Sequence, residues 1–163
     1  LLGGSTDLNA GQFVDRIGTA LGLTFPAGPA LELLAAQNEG ELPHLPVAVK
    51  DGRISFSGPA SHAERLLEKG CSGPDLARAV ELCIAQSIVK ALQQLMTEPG
   101  RFKGLLAVGG VMANGVIRQQ LTMKLPQWKV IFADPLYSSD NAVGLAVQAR
   151  RIMHNESSLF EGL

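Results

Sequence analysis

Cysteine, aromatic rings and net charge are all scarce in this sequence, and each scarcity removes a class of explanation. The two cysteines, Cys71 and Cys83, stand twelve residues apart with neither a CxxC pair nor a histidine-rich neighbourhood. They read as reduced thiols of an intracellular protein. Fourteen basic against fifteen acidic residues leave a formal charge of −1, so no overall basic field exists to hold a polyanion. A nucleic-acid partner therefore needs a local patch or another part of the protein. No apolar run approaches the ~18 residues of a membrane span, and no basic-then-apolar leader opens the chain. The expected setting is the cytoplasm, with no membrane partner. Aromatic residues make up only 5%, but 46% apolar and 18% charged residues are globular values that exclude disorder. A chain of 163 residues is the length of a single domain that buries roughly 70% of its unfolded surface.

The short signatures of common chemistry are missing too. Neither a GxxxxGKS/T phosphate loop nor a GxGxxG dinucleotide fingerprint occurs. His44, His62 and His154 show no HxxH, HxxxH or HExxH spacing, so any metal needs ligands from outside this chain. No Ser/His/Asp or Cys/His arrangement stands at a useful spacing.

What is present is a series of punctuated elements. The chain begins Leu1-Leu2-Gly3-Gly4 without a methionine, as though cut inside a strand of something longer. Thr6 or Asp7 is the expected cap of a first helix with Phe13, Val14, Ile17, Ala20 and Leu21 on its apolar stripe, ending near Gly22. A Pro/Gly loop over 25–29 feeds a short helix to about Gln37. Runs 47–50 and 53–57 around Asp51-Gly52 predict a hairpin with a type I′ turn. His62 to Lys69 reads as a short helix stopped by Gly70. The longest helix starts after Ser72 and Pro74, carries Leu76, Val80, Cys83, Ile84, Val89 and Leu92 on one broad face, and ends by Pro99-Gly100. A short buried strand (104–108), a helix from Asn114 to about 124, a second strand (128–132) and a helix from Asp140 to about His154 follow. The order implies α/β layering with a parallel strand pair, and ligands of such sheets sit beyond the carboxyl ends of the strands.

Two polar clusters fall there. In "AVGGVMANGVIRQQL" (107–121), Gly109 and Gly110 let backbone approach a phosphate or ribose, and Asn114 has hydrogen-bonding groups for a hydroxyl or base edge. The alternative is a strand-to-helix turn with Asn114 as helix cap. In "DPLYSSDNA" (134–142), Asp140 reads either as a helix cap or as one carboxylate of a metal site. Asp15 reads as a solvated charge beside Arg16, and Gly28 as a loop glycine. Ser57-Gly58 at the hairpin exit either binds phosphate or turns the chain.

Taken in order, several phrases resemble one family. "DLNAGQFVDRIGTALGLTFPAGPALE" is similar to D-D-A-A-G-E-A-F-D-K followed by L-G-L-x-Y-P-G-G-P. "ISFSG" is similar to F-S-F-S-G, "AVGGVMANGVIRQQL" to G-G-V-A-A-N-x-x-L-R, and "PLYSSDNA" to P-x-x-x-C-T-D-N-A. This is the pattern of the TsaD family, called Kae-type proteins in archaea and eukaryotes and formerly O-sialoglycoprotein endopeptidase or glycoprotease. The resemblance implies the actin/Hsp70-like (ASKHA) ATPase fold, with residues 1–163 as the C-terminal half of a longer two-lobed protein: a mixed sheet and packed helices.

It also implies a transferase that moves threonylcarbamoyl from threonylcarbamoyl-adenylate to N6 of the anticodon-adjacent adenosine of tRNA. The family's adenine-nucleotide contacts carry over to Asp15, Gly28 and Asn114, with Gly109 and Gly110 beside it. Its iron or zinc ligand carries over to Asp140, completed by two histidines of the missing half. Implied partners are that half, tRNA and TsaB/TsaE-like proteins. An exposed flank left by the missing half would favour a homodimer. The chain departs from the pattern at Leu8-Asn9, Gln12, Ser139 and "SGPAS" in place of S-G-L-K-T, whose lysine is lost. These departures keep a non-catalytic nucleotide- or partner-binding paralogue as the alternative. A metalloprotease, after the old family name, is a third reading without a protease-type His/Glu motif.

Overall fold

The computed structural model describes residues 2–96, 102 and 104–134. Within them run strand β1 (Gly4–Ser5), helices α1 (Ala10–Ala20) and α2 (Gly28–Ala35), and strands β2 (Ala48–Lys50) and β3 (Arg53–Ser55). Helices α3 (Ser57–Glu68) and α4 (Gly73–Leu95), strand β4 (Gly104–Ala107), a 3-10 turn (Gly110–Ala113), helix α5 (Gly115–Lys124) and strand β5 (Lys129–Phe132) complete the order. The class is mixed α/β, as expected. One sheet has the order β1-β3-β2, with β1 parallel and β2 antiparallel to β3. The expected parallel pair is β4-β5, with Gly104 opposite Lys129.

Turn chemistry accounts for the hairpin. Asp51 and Gly52 both take positive φ (51° and 71°), as a type I′ turn requires. The Gly52 N–H donates to Oε1 of Gln94 at 2.9 Å, which docks the hairpin tip on the end of α4. Helix α4 is the spine: Leu76, Ala77, Val80, Ile84 and Ala85 are buried, and it packs chiefly against α2 and α5. The core continues through Ile17, Leu31, Ile117, Leu121 and Leu125. Phe13 of α1 stacks on Phe56, which precedes α3, at 5.4 Å between ring centroids.

Three expectations are corrected. The cap of α1 is Asn9, whose Oδ1 accepts from the Gln12 N–H at 2.8 Å while Gln12 Oε1 accepts from the Asn9 N–H at 2.9 Å. Asp7 instead accepts from the Phe56 N–H at 2.8 Å and from the Ser55 hydroxyl, tying the start of α1 to the start of α3. Helix α3 begins at Ser57 rather than His62. Pro59 lies in its first turn, where no intrahelical N–H is needed, so the proline is tolerated. Ser57-Gly58 thus turn the chain into α3. Strand β4 is buried on one face alone: Ala107 is buried, while Leu106 and Val108 are 65% and 61% exposed. The predicted helix from Asp140 to His154 lies outside the described residues. Among the described residues no helix is long and apolar enough to cross a membrane.

Candidate functional site

A cavity of about 360 Å³ lies where α1, α2, α4 and the 3-10 turn into α5 meet. Val14, Pro26, Pro29, Leu31, Val111 and Ile117 give it apolar walls. Its polar groups are Asp15, Glu32, Glu81 and Asn114, and Gly11, Gly28 and Gly110 line it with backbone. Four residues singled out in the sequence, Asp15, Gly28, Gly110 and Asn114, therefore share one hollow despite lying up to a hundred positions apart. Gly109 is not in the lining. Its φ of 108° makes the bend that launches the 3-10 turn, a conformation L side chains rarely adopt.

Asp15 is not simply a solvated charge beside Arg16. Its Oδ1 accepts from the Ala27 N–H at 2.8 Å, at the entrance to α2, whereas Arg16 makes a two-point ion pair with Glu64. Gly28 is the first residue of α2, and an added Cβ there would meet nothing within 4 Å. Packing does not demand glycine at 28; its absent side chain simply leaves that wall of the cavity open.

Asn114 is the helix cap of the second reading, and it lines the cavity. As N-cap of α5 its Oδ1 accepts from the Ile117 N–H at 2.9 Å, and its Nδ2 donates to Glu81 Oε1 at 2.6 Å. The Gly115 N–H donates to Glu32 Oε1 at 2.7 Å. These bonds leave the α5 N-terminus with fewer free N–H groups for a phosphate. Two of those donors are spent within the protein, and the Glu32 carboxylate already sits against the positive helix end. A phosphate here would also face Glu81, so the cavity suits a ligand edge that donates hydrogen bonds, as hydroxyls do.

Glu81 sits on the buried side of α4, 1% exposed, and pairs with Arg78 one turn away. Burial pushes its carboxyl up from the usual range and the nearby Glu32 adds to this, while Asn114 and Arg78 oppose. Arg118 braces the turn by donating to the Met112 and Ala133 carbonyls, with its guanidinium 5.1 Å above the Phe132 ring. Sequence reasoning missed Glu32 and Glu81. A carboxylate four residues after Gly28 shares that residue's helix face, and Glu81 interrupts the apolar face formed by Ala77, Val80 and Ile84.

Asp140 lies outside the described residues, and among those described no group of three His, Cys, Asp or Glu side chains could hold a metal. A wider hollow of about 880 Å³ over β2 and β3 contains none of the predicted site residues.

The sequence model of the family described as "TsaD: tRNA N6-adenosine threonylcarbamoyltransferase" matches residues 1–147. The chain belongs to the TsaD family. A relative named tRNA N6-adenosine threonylcarbamoyltransferase from Caulobacter vibrioides is 34% identical over 160 residues, covering 90% of this chain and 43% of that protein. One of the same name from Thermus thermophilus is 32% identical over 153 residues, covering 93% of this chain and 46% of that protein. This TsaD-family chain thus spans less than half the length of these relatives. Two of its departures from the family pattern explain each other, since Asn9 and Gln12 are the two halves of the α1 capping box.

Proposed function

We propose that this chain is the nucleoside-binding, C-terminal half of a TsaD-type transferase of the actin/Hsp70-like fold. Its reaction would move threonylcarbamoyl from threonylcarbamoyl-adenylate to N6 of the anticodon-adjacent adenosine of tRNA, in the cytoplasm. The supporting observation is the shared cavity of Asp15, Gly28, Gly110 and Asn114, all of which the family resemblance marks as nucleotide contacts or their neighbours. The apolar walls suit a base, and the carboxylates of Asp15 and Glu32 suit ribose hydroxyls. Holding the adenylate at a fixed place turns the transfer into an effectively intramolecular step once the acceptor amine arrives.

A bound iron or zinc ion would polarise the threonylcarbamoyl carbonyl. Asp140 is the ligand this chain would supply; the described residues complete no such site, and the adenylate-orienting role does not run through it. With a net charge of −1, the chain leaves most of the attraction for tRNA to the other half or to TsaB/TsaE-like partners.

Calorimetric titration of the natural full-length protein with ATP tests the nucleotide reading. Asn114→Ala should weaken binding by roughly tenfold, the value of about one hydrogen bond in a dry site. Unchanged affinity would end the assignment. The second reading, a non-catalytic nucleotide-binding relative, is favoured by one observation: where S-G-L-K-T carries a lysine, this chain has Ala60, fully buried in α3. ATP affinity that depends on Asn114 but is indifferent to Asp140→Ala and to added metal, with no modified tRNA formed, would select it.

A further inference from the structure

Glu81 is the only charged side chain buried among the described residues, and none of the motifs that carry the family resemblance contains it. One carboxylate oxygen accepts from Asn114 and the other from Arg78, so both are occupied. A primary amide is nearly symmetric in shape, and its two orientations differ only in what its neighbours accept or donate. Here the neighbours leave no choice. The Ile117 N–H requires an acceptor, and Glu81 Oε1, on a carboxyl paired with Arg78, requires a donor, so a flipped Asn114 would set N–H against N–H and oxygen against oxygen.

We propose that Glu81 is a positioning residue for nucleoside binding: it fixes the Asn114 amide so that the cavity is offered an N–H donor instead of a carbonyl. This rests on the nucleoside reading of the cavity. With Oδ1 committed to Ile117 and one Nδ2 hydrogen to Glu81, the second Nδ2 hydrogen is what Asn114 has left for a ligand, whose matching atom must be an acceptor. Arg78 maintains the arrangement by pairing with the carboxylate that burial would otherwise tend to neutralise.

The test is a double-mutant cycle in the natural full-length protein with ATP as the probe, joined to the Asn114 side-chain amide signal in protein labelled at asparagine nitrogen. Glu81→Ala should lose about as much ATP affinity as Asn114→Ala, roughly tenfold, and the double variant should lose no more than either alone. Glu81→Gln keeps the shape and guards against a folding defect. Its amide can face Asn114 with either end, so the Asn114 NH2 signal should shift and lose its protection from solvent exchange while the backbone spectrum stays native. Additive losses, or an Asn114 signal that neither Glu81 variant moves, would overturn the proposal while ATP binding that depends on Asn114 left the nucleoside reading standing. A wild-type protein that took up no ATP would overturn that reading and the positioning role together.

Discussion

Asp7 shows how much one exposed side chain can be asked to do. Partial desolvation would raise its carboxyl, but bonds from the Ser55 hydroxyl, the Phe56 N–H, Ser57 and the Leu8 N–H prevail and hold it at about 2, against 3.8 for a free group. A depressed carboxyl contributes stability that is complete above the unfolded value and disappears as pH falls through the folded one. The window for Asp7 is therefore about pH 4 down to 2, and solvent screening at so exposed a site limits the contribution to about 1 kcal/mol. Asp7→Asn should lower the urea midpoint at pH 7 and make little difference at pH 2. An equal gap at both pH values would show that shape, not charge, ties the start of α1 to the start of α3. The same residue explains a misreading: Thr6, Asp7 and Asn9 all carry a side-chain oxygen suited to capping, and only the contact with Phe56, forty-nine positions away, takes Asp7 out of contention.

Elements whose boundaries rest on local backbone chemistry were legible in advance. The Asp51-Gly52 hairpin, the start of α5 at Asn114 and the stop of α3 at Gly70 (φ 85°) each depend on a conformation or cap that few residues supply. Boundaries that depend on packing were not: α3 starts at Ser57, ahead of the expected His62, with Pro59 in its first turn, and the role of Glu81 shows only once α5 delivers Asn114 to it. Part of the site was readable through the family resemblance, which marked Asp15, Gly28 and Asn114. The spent helix end of α5 was not, because Glu32 reaches Gly115 only after α2 and α5 have packed beside α4. Two variants probe the local devices. Asn9→Ala removes the capping box of α1 and should cost about 1 kcal/mol in chemical denaturation, with no loss expected if Asp7 were the cap after all. Gly52→Ala should cost about 1–2 kcal/mol, since it forces a side chain to positive φ and sets a Cβ 2.3 Å from Leu95 Cδ2. A neutral Gly52→Ala would mean that the tip of the hairpin is not docked on α4.

For the molecule as a whole, the cavity's charge says which part of a nucleotide it can serve. Asp15, Glu32 and Glu81 all line it, and the N–H donors of Gly115 and Ile117 beside it are already bonded. Such a hollow attracts hydroxyls and repels phosphates, so phosphate recognition has to come from outside its lining. A volume of about 360 Å³ is also near the lower end for small-molecule sites, enough for a nucleoside and little more. The 163-residue chain by itself should therefore bind adenosine, AMP and ATP weakly and within about threefold of one another, because added phosphates meet no positive partner in the lining of this cavity. In the natural full-length protein the same series should separate, with ATP at least tenfold tighter than adenosine. Raising salt tests the sign of the local field: in the short chain, screening should narrow any remaining preference for uncharged adenosine. ATP binding the short chain tenfold more tightly than adenosine, and losing that advantage in salt, would place a phosphate cradle inside these residues and reverse the assignment of the cavity to the nucleoside.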